Sequence, residues 1–146
     1  MARTSTYLNF PGNCEEAFDF YRSVFGGDFA GEISRFSDVP PSTEFPPLPE
    51  SEMKMVIHVA LPITGGHMLM GSDAPASMGF AVTPGNNVHI NLEPDTREET
   101  ERLFKALSEG GTVTMKLQDM FWGAYFGSCI DKYGISWMVN CENKTV

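Results

Sequence analysis

Residues 7–27 read YLNFPGNCEEAFDFYRSVFGG, and two periodicities meet in this stretch. Apolar residues alternate with other residues in TYLNF (6–10), which predicts a strand, and they recur at helical spacing in CEEAFDFYRSVF (14–25). Asn13 is predicted to cap this helix and Gly26-Gly27 to end it. The stretch therefore predicts a strand, with Leu8 and Phe10 turned toward the helix that follows it.

The same pattern returns later in the chain. VHINL (88–92) predicts a strand, REETERLFKALS (97–108) predicts a helix capped by Thr96, and Gly110-Gly111 ends it. In this second strand the alternation turns Val88, Ile90 and Leu92 toward the helix. The recurrence predicts an internal duplication, in which two units too small to stand alone bury their cores against each other.

Three further strands are predicted in each half. They are DFAGEISRF, MKMVIHVALPI and HMLMGSD in the first half, and TVTMKL, GAYFGSCI and ISWMVNCE in the second. The predicted fold class is α+β, with tandem βαβββ modules at 1–75 and 87–146 that form a single domain over 1–146. Segment 38–52 holds five of the ten prolines and is predicted to be a long loop, either a lid or a dimer arm.

Composition narrows the classes of partner. With 42% hydrophobic and 20% charged residues the chain is an ordinary globular one. A formal net charge of −9 disfavours nucleic acid and anionic membrane surfaces as partners, because both are bound by basic patches. No apolar run approaches the ~20 residues that span a bilayer, and the start MARTSTYLNF lacks the pattern of a signal peptide. These features predict a cytoplasmic protein.

The cysteines predict neither disulfide bonds nor a structural zinc site. Cys14, Cys129 and Cys141 are an odd number without the spacing of a disulfide set or a zinc site, so we expect reduced thiols. Cys14 stands at a helix start, where a thiol has either a lowered pKa or, if it is buried, little reactivity.

Three blocks of the chain carry a resemblance to a known family. They are residues 7–27 quoted above, HVALPITGGHMLMGSD (58–73) and DMFWGAYFGSCIDKYGISW (119–137). With the duplication, they make the chain similar to the PhnB-like branch of the vicinal oxygen chelate superfamily, which includes glyoxalases, bleomycin-resistance proteins and extradiol dioxygenases. The resemblance implies a glyoxalase/bleomycin resistance fold, whose modules form a curved, cup-like mixed sheet with the site on its concave floor. It also implies a homodimer.

The resemblance further implies where a metal would be held. Metal-dependent members place one ligand on the first and one on the last strand of each module, usually His or Glu. Alternation along the strands puts Tyr7 and His89 in the first-strand positions, and counting from the turn glycines puts Met70 and Met138 in the last-strand positions. One imidazole, a phenol and two thioethers are a poor donor set for a hard divalent ion. We therefore predict no metal site and no cofactor.

The position of a residue along its strand also predicts whether it contacts a ligand. His89 is the best candidate for a catalytic acid or base, because an imidazole that faces a cavity titrates near neutral pH; the alternative is a hydrogen-bonded core residue. The methionines either form an adaptable wall or fill the core. The aromatic residues near the last turn cap a flat ligand, or lie in the core or a dimer seam. The predicted ligand-binding residues are Tyr7, Asn9, His58, Met70, His89, Asn91, Trp122, Tyr125, Ser136 and Met138.

Three functions remain open from the sequence. The first is the binding of a small organic molecule in a metal-free pocket, because no catalytic triad, phosphate loop or metal cluster is visible. The second is a metal-dependent enzyme of glyoxalase, isomerase or dioxygenase type. The third is a structural or regulatory dimer. A methyltransferase label that some relatives carry has no support here, because no Gly-rich nucleotide-binding loop follows a strand.

Overall fold

The computed structural model describes residues 1–40 and 47–142. Residues 41–46 of the predicted proline-rich loop 38–52 lie outside the described residues, as do residues 143–146 at the end of the second module. The chain divides into two compact units, Met1–Thr83 and Pro84–Val146.

The first unit contains one helix and one four-stranded mixed sheet, which we call sheet 1. Its strand order is β1-β4-β3-β2, with β1 parallel to β4 and the other pairs antiparallel. The hairpin between β3 and β4 turns through Thr64–Gly66, as predicted. The elements are β1 (Thr6–Phe10), α1 (Cys14–Phe25), β2 (Ser34–Arg35), β3 (Val56–Pro62) and β4 (Met68–Asp73).

The second unit repeats this topology in a sheet that we call sheet 2. Its strand order is β5-β8-β7-β6, with β5 parallel to β8 and the remaining pairs antiparallel. The predicted α+β class and the duplicated βαβββ pattern are therefore confirmed within each unit. The elements are β5 (Ile90–Leu92), α2 (Arg97–Ser108), β6 (Thr112–Asp119), β7 (Ala124–Ile130) and β8 (Ser136–Glu142).

Aromatic packing joins α1 to sheet 1. Phe10, Phe18 and Tyr21 are fully buried, and the Phe18 ring meets the rings of Phe10 and Tyr21 edge-on, with centroids 6.1 and 5.6 Å away. Edge-to-face pairs add to the free energy gained by burying the rings. The side of sheet 1 that carries Phe10 is thus its core side.

The start of α1 is held by a residue that the sequence did not indicate. Asn13 occupies the N-cap position, but its side chain makes no capping hydrogen bond. Instead, the carboxylate of Asp73 at the end of β4 accepts from the backbone N–H of Cys14 through Oδ1 and of Val56 through Oδ2, both at 2.9 Å. Asn13 is therefore the N-cap residue, as predicted, but the charged acceptor at the helix start comes from the end of the adjacent strand.

In the second unit the predicted cap and core are confirmed. The Thr96 hydroxyl accepts from the backbone N–H of Glu99 at 3.1 Å. Leu103 and Leu107 of α2 are buried on the same side of the sheet as Trp137, which is fully buried. The Trp137 indole N–H donates to Oδ2 of buried Asp131 at 2.8 Å, which satisfies the polar end of that ring.

Two predicted strands are shorter than their sequence patterns. β5 begins at Ile90, and Val88 is 74% exposed instead of facing α2. β2 has only two residues, because the segment before it passes through Gly31 at φ 85° and bonds to β3 only through the Ala30 N–H. No helix among the described residues is long and apolar enough to cross a membrane.

Candidate functional site

Glycine 71 shows which face of sheet 1 carries the helix. A Cβ built at Gly71 would lie 2.6 Å from Cε1 of Phe18. Gly71 is in register with Leu8 on β1 and with Val59 on β3, so these three residues point toward α1. Their sequence neighbours point to the opposite side, which we call the far face of sheet 1.

Two aromatic rings and a thioether meet on the far face of sheet 1. Tyr7 is in register with Met70, and the rings of Tyr7 and His58 are tilted by 31° with centroids 6.0 Å apart. The Tyr7 hydroxyl donates to the carbonyl oxygen of Ile57 at 3.5 Å, and the side chain remains 47% exposed. This face therefore offers flat apolar surface beside a phenol and an imidazole.

Small polar groups border these rings. Asn9 Oδ1 accepts a hydrogen bond from the Ser72 hydroxyl at 3.4 Å, and the Ser5 hydroxyl donates to the Met70 sulfur at 3.8 Å. His67 at the hairpin is half-buried, with Nε2 lying 2.8 Å from the Thr6 hydroxyl oxygen.

Glycine 127 marks the helix side of sheet 2 in the same way. A Cβ at Gly127 would lie 2.9 Å from Cε1 of Phe104 on α2, and Gly127 is in register with buried Val139. The alternate residues Met138 and Ser128, which are in register with each other, therefore lie on the far face of sheet 2. Ser136 shares this face, and it is buried.

Strand pairing changes one predicted correspondence. The residue of β5 in register with Met138 is Asn91, just as Tyr7 is in register with Met70. His89, placed in that position from the sequence, precedes β5 and is exposed. The position equivalent to Tyr7 is therefore Asn91, and the proposed acid–base role of His89 stays a prediction.

The aligned side chains do not fit a hard divalent ion. Sheet 1 presents a phenol and a thioether at these positions, and sheet 2 presents an amide and a thioether, whereas Mg²⁺, Mn²⁺ and Fe²⁺ favour carboxylates and imidazoles. Nowhere in residues 1–40 and 47–142 do three or more His, Cys, Asp or Glu side chains come together in a way that could hold a metal.

The aromatic residues before β8 lie on both sides of sheet 2. Trp122 is 55% exposed, and its ring meets those of Phe121 and Phe126 at centroid distances of 5.0 and 6.4 Å. Phe126 is in register with Asn140, so both belong to the far face. Trp122 and Phe126 together thus give that face an accessible aromatic edge.

Tyr125 lies on the α2 side of sheet 2. The Arg97 guanidinium lies 3.8 Å from its ring centroid, and the hydroxyl donates to Glu101 at 3.0 Å. The pKa of Tyr125 is raised, mainly by desolvation and next by this hydrogen bond to the Glu101 carboxylate. Tyr125 is thus on the face opposite to Met138, and its predicted part in ligand binding stays untested.

One residue on the far face of sheet 2 was not selected from the sequence. The Asn140 side-chain oxygen is buried and has no hydrogen-bond partner. Its position two residues after Met138 was available as a signal, because residues i and i+2 of a strand share a face. The missing partner is visible only in three dimensions.

The cysteines supply no nucleophile. Cys14, Cys129 and Cys141 are buried and free. Burial, together with the nearby Asp73 carboxylate, raises the pKa of the Cys14 thiol far above its ordinary range, and burial raises the pKa of Cys129 to about 11. The alternative of a lowered pKa for Cys14 at the helix start was wrong, because burial and the nearby carboxylates all raise that pKa.

The class of protein follows from the fold and from a family comparison. The model of the Glyoxalase/Bleomycin resistance protein/Dioxygenase superfamily matches residues 6–139. The chain therefore belongs to this superfamily and has its fold.

Individual relatives agree with that assignment. Protein PA1353 from Pseudomonas aeruginosa is 36% identical, with a TM-score of 0.80 over 97% of this chain and 98% of that one. A PhnB protein from Bacillus cereus, provisionally described as a 3-demethylubiquinone-9 3-methyltransferase, is 28% identical, with a TM-score of 0.73 over 96% and 99%. Protein YjdN from Escherichia coli (strain K12) is 30% identical over 141 residues, 93% of this chain and 92% of that protein. The predicted resemblance to PhnB-like proteins is thus confirmed.

Proposed function

We propose that this protein binds a small organic molecule at the far face of a sheet, without a resident divalent metal. The observation that carries the proposal is the identity of the aligned pairs, Tyr7 with Met70 and Asn91 with Met138. These groups offer apolar contact and neutral hydrogen bonds, which are the usual lining of a small-molecule site. They offer no anionic ligand for a cation.

The side chains indicate the character of the ligand. Tyr7 and His58 present two rings at a shallow angle, and a flat molecule gains contact area with such a surface. The unbranched Met70 and Met138 side chains adapt to irregular shapes. A flat, mostly apolar molecule with one or two uncharged polar groups fits these features best.

A thermal-shift screen with a metal chelator tests this proposal. Small aromatic and heteroaromatic compounds are screened for a rise in Tm, and each hit is repeated in EDTA. Because a ligand that binds the native state raises Tm, we expect hits whose shift survives EDTA. Tyr7→Ala is expected to reduce the shift, whereas the control Tyr133→Phe, in the turn between β7 and β8, is expected to retain it. Hits that vanish in EDTA would contradict the proposal.

The alternative function is a metal-dependent enzyme of glyoxalase, isomerase or dioxygenase type. Membership of the superfamily favours it, and His89 is the residue we would expect such an enzyme to recruit. Zinc, nickel, manganese and iron are each added to the purified protein, which is then dialysed and analysed for metal. Stoichiometric retention that is lost in His89→Ala would support this alternative.

We further propose a cytoplasmic homodimer with no nucleic-acid or membrane partner. The edge strand β6 supports an interface between copies, because Val113 and Met115 are large apolar side chains exposed on it. Light scattering after size exclusion measures the assembly. A monomer at micromolar concentration would contradict the dimer.

A further inference from the structure

Ser136, at the start of β8, is a buried polar residue whose hydroxyl makes no hydrogen bond within the described part of the chain. It lies on the far face of sheet 2, and only 7% of its surface is exposed. Ser128, another buried serine of this face, differs in this respect, because its hydroxyl oxygen lies 2.7 Å from that of Thr114. Buried polar groups nearly always have a partner, so the hydroxyl of Ser136 calls for an explanation.

The hydroxyl oxygen of Ser136 is accessible, although most of the residue is covered. Among the residues that the structure describes, the oxygens that are both fully buried and unpaired belong to Asn13 and Asn140. The oxygen of Ser136 is unpaired and is not one of these two, so it keeps some contact with open space. A hydroxyl in this situation has room for a hydrogen-bond partner from outside the chain.

The partner that Ser136 lacks is an acceptor. A serine hydroxyl has one proton to donate and two lone pairs, and unused protons are rarer in protein interiors than unused lone pairs. Its neighbours on this face are Ile130, in register with it on β7, and Met138, two residues further along β8. Neither side chain offers an oxygen acceptor. Neither carries a positive charge that would compensate an anionic oxygen, so an uncharged oxygen suits this position best.

We propose that the Ser136 hydroxyl donates a hydrogen bond to a carbonyl oxygen of a neutral aromatic ligand whose ring lies against Met138. Met138 is half-buried and in register with Asn91, which is exposed. The thioether of a methionine makes favourable contacts with aromatic rings. Ser136 and Met138 lie two residues apart on one strand, so a carbonyl and the ring that bears it reach both.

This inference deepens the proposed function and rests on it. The proposed function requires only that a flat organic molecule binds at the far face of a sheet. The inference selects sheet 2, names the residue that receives the polar group, and specifies that group as a carbonyl. The class of ligand is thus an uncharged aromatic ketone, ester or lactone.

The probes 1-indanone and indane share a flat bicyclic frame and differ in the carbonyl group. Their dissociation constants are measured by NMR titration, following the ε-methyl signal of Met138, for the unmodified protein and for Ser136→Ala. One net hydrogen bond predicts that Ser136→Ala weakens 1-indanone relative to indane by about 2–10-fold. The matched control is Ser108→Ala, on α2 and therefore on the other side of sheet 2, which should leave this ratio unchanged.

Stability separates this role from a structural one. Because the Ser136 hydroxyl has no partner within the described chain, we expect Ser136→Ala to keep the Tm of the unmodified protein or to raise it. A Tm that falls by several degrees would assign the hydroxyl to the fold and overturn the inference. So would a ratio of affinities that is the same in Ser136→Ala, or no shift of the Met138 signal by 1-indanone up to its solubility limit. Compounds that raise Tm in EDTA would still support the proposed function in each of these cases, because that function does not require Ser136.

Discussion

Asn91 is in register with Met138 in the parallel pairing of β5 with β8. The first unit repeats the relationship, with Tyr7 beside Met70 on β1 and β4. Two equivalent strand positions thus carry an amide or phenol beside a thioether, and none of the four side chains is a strong ligand for a hard cation.

Converting one pair into metal donors should raise the zinc affinity of the chain. In Asn91→His/Met138→Glu an imidazole and a carboxylate would stand side by side on adjacent strands, and both are good zinc ligands. We expect the double variant to bind Zn²⁺ at least about tenfold more tightly than the unmodified protein, measured by isothermal titration calorimetry. The matched control is Asn91→Gln/Met138→Gln. Equal zinc affinity in all three proteins would count against the donor-set argument.

Replacing Asp73 should destabilise the first unit. Its buried carboxylate accepts from the N–H groups of Cys14 and Val56, and Asp73→Ala would leave both donors without their acceptor. We expect a loss of about 2–4 kcal/mol in the free energy of unfolding, measured by urea denaturation. Asp28→Ala, at an exposed carboxylate of the same unit, should change it by less than about 0.5 kcal/mol. A small effect at Asp73 would show that water or another group replaces the carboxylate.

Gly71 should tolerate no side chain. A Cβ there would lie 2.6 Å from Cε1 of fully buried Phe18 and 3.2 Å from the Leu8 carbonyl oxygen. Gly71→Ala is expected to cost about 1–3 kcal/mol in denaturant unfolding, because overpacking forces the ring or the strand to move. Gly85→Ala is the control, since its Cβ would meet only the Asn87 side chain at 3.6 Å. If both variants unfold alike, the close approach of α1 to β4 is not as described.

The buried thiols predict how stability depends on alkaline pH. Burial raises the pKa of Cys129 from 9.0 to about 11, so the unfolded chain loses this proton first as pH rises. The contribution of the Cys129 thiol to the free energy of unfolding is therefore constant below about pH 9 and falls as pH rises toward 11. Urea unfolding across this range should show a smaller decline in Cys129→Ala than in the unmodified protein. An identical decline in both would mean that Cys129 does not titrate on unfolding.

Strand and helix positions could be predicted because their periodicities are local. The buried residues of α1 and α2 follow the 3.6-residue spacing, and the strands alternate, so the core side of each sheet was readable from the sequence. Trp137 is buried on the side of β8 that the same alternation assigns to the core. The environment of each of these residues is determined by its neighbours within a single helix or strand.

The features that were not predicted from the sequence depend on contacts between different strands and helices. The position beside Met138 was assigned to His89 because the strand was taken to start at Val88, whereas the register of β5 with β8 identifies Asn91. The spacing of the two Gly-Gly stops, which maps Tyr7 onto Asn91, was a signal in the sequence for the same residue. Asp73 was not recognised as a cap, because its two partners are far away in sequence. The unpaired oxygen of Asn140 depends on atoms of several elements and leaves no trace in a single strand pattern.

Native mass spectrometry of the protein, purified without added metal, tests the central claim most directly. The mass of the intact folded chain reports a bound metal ion and a bound organic molecule in one spectrum. We predict the mass of the chain with or without an organic adduct, and an adduct that is released on unfolding and unaffected by prior EDTA treatment. A mass increase of one divalent ion per chain that EDTA removes would contradict the account.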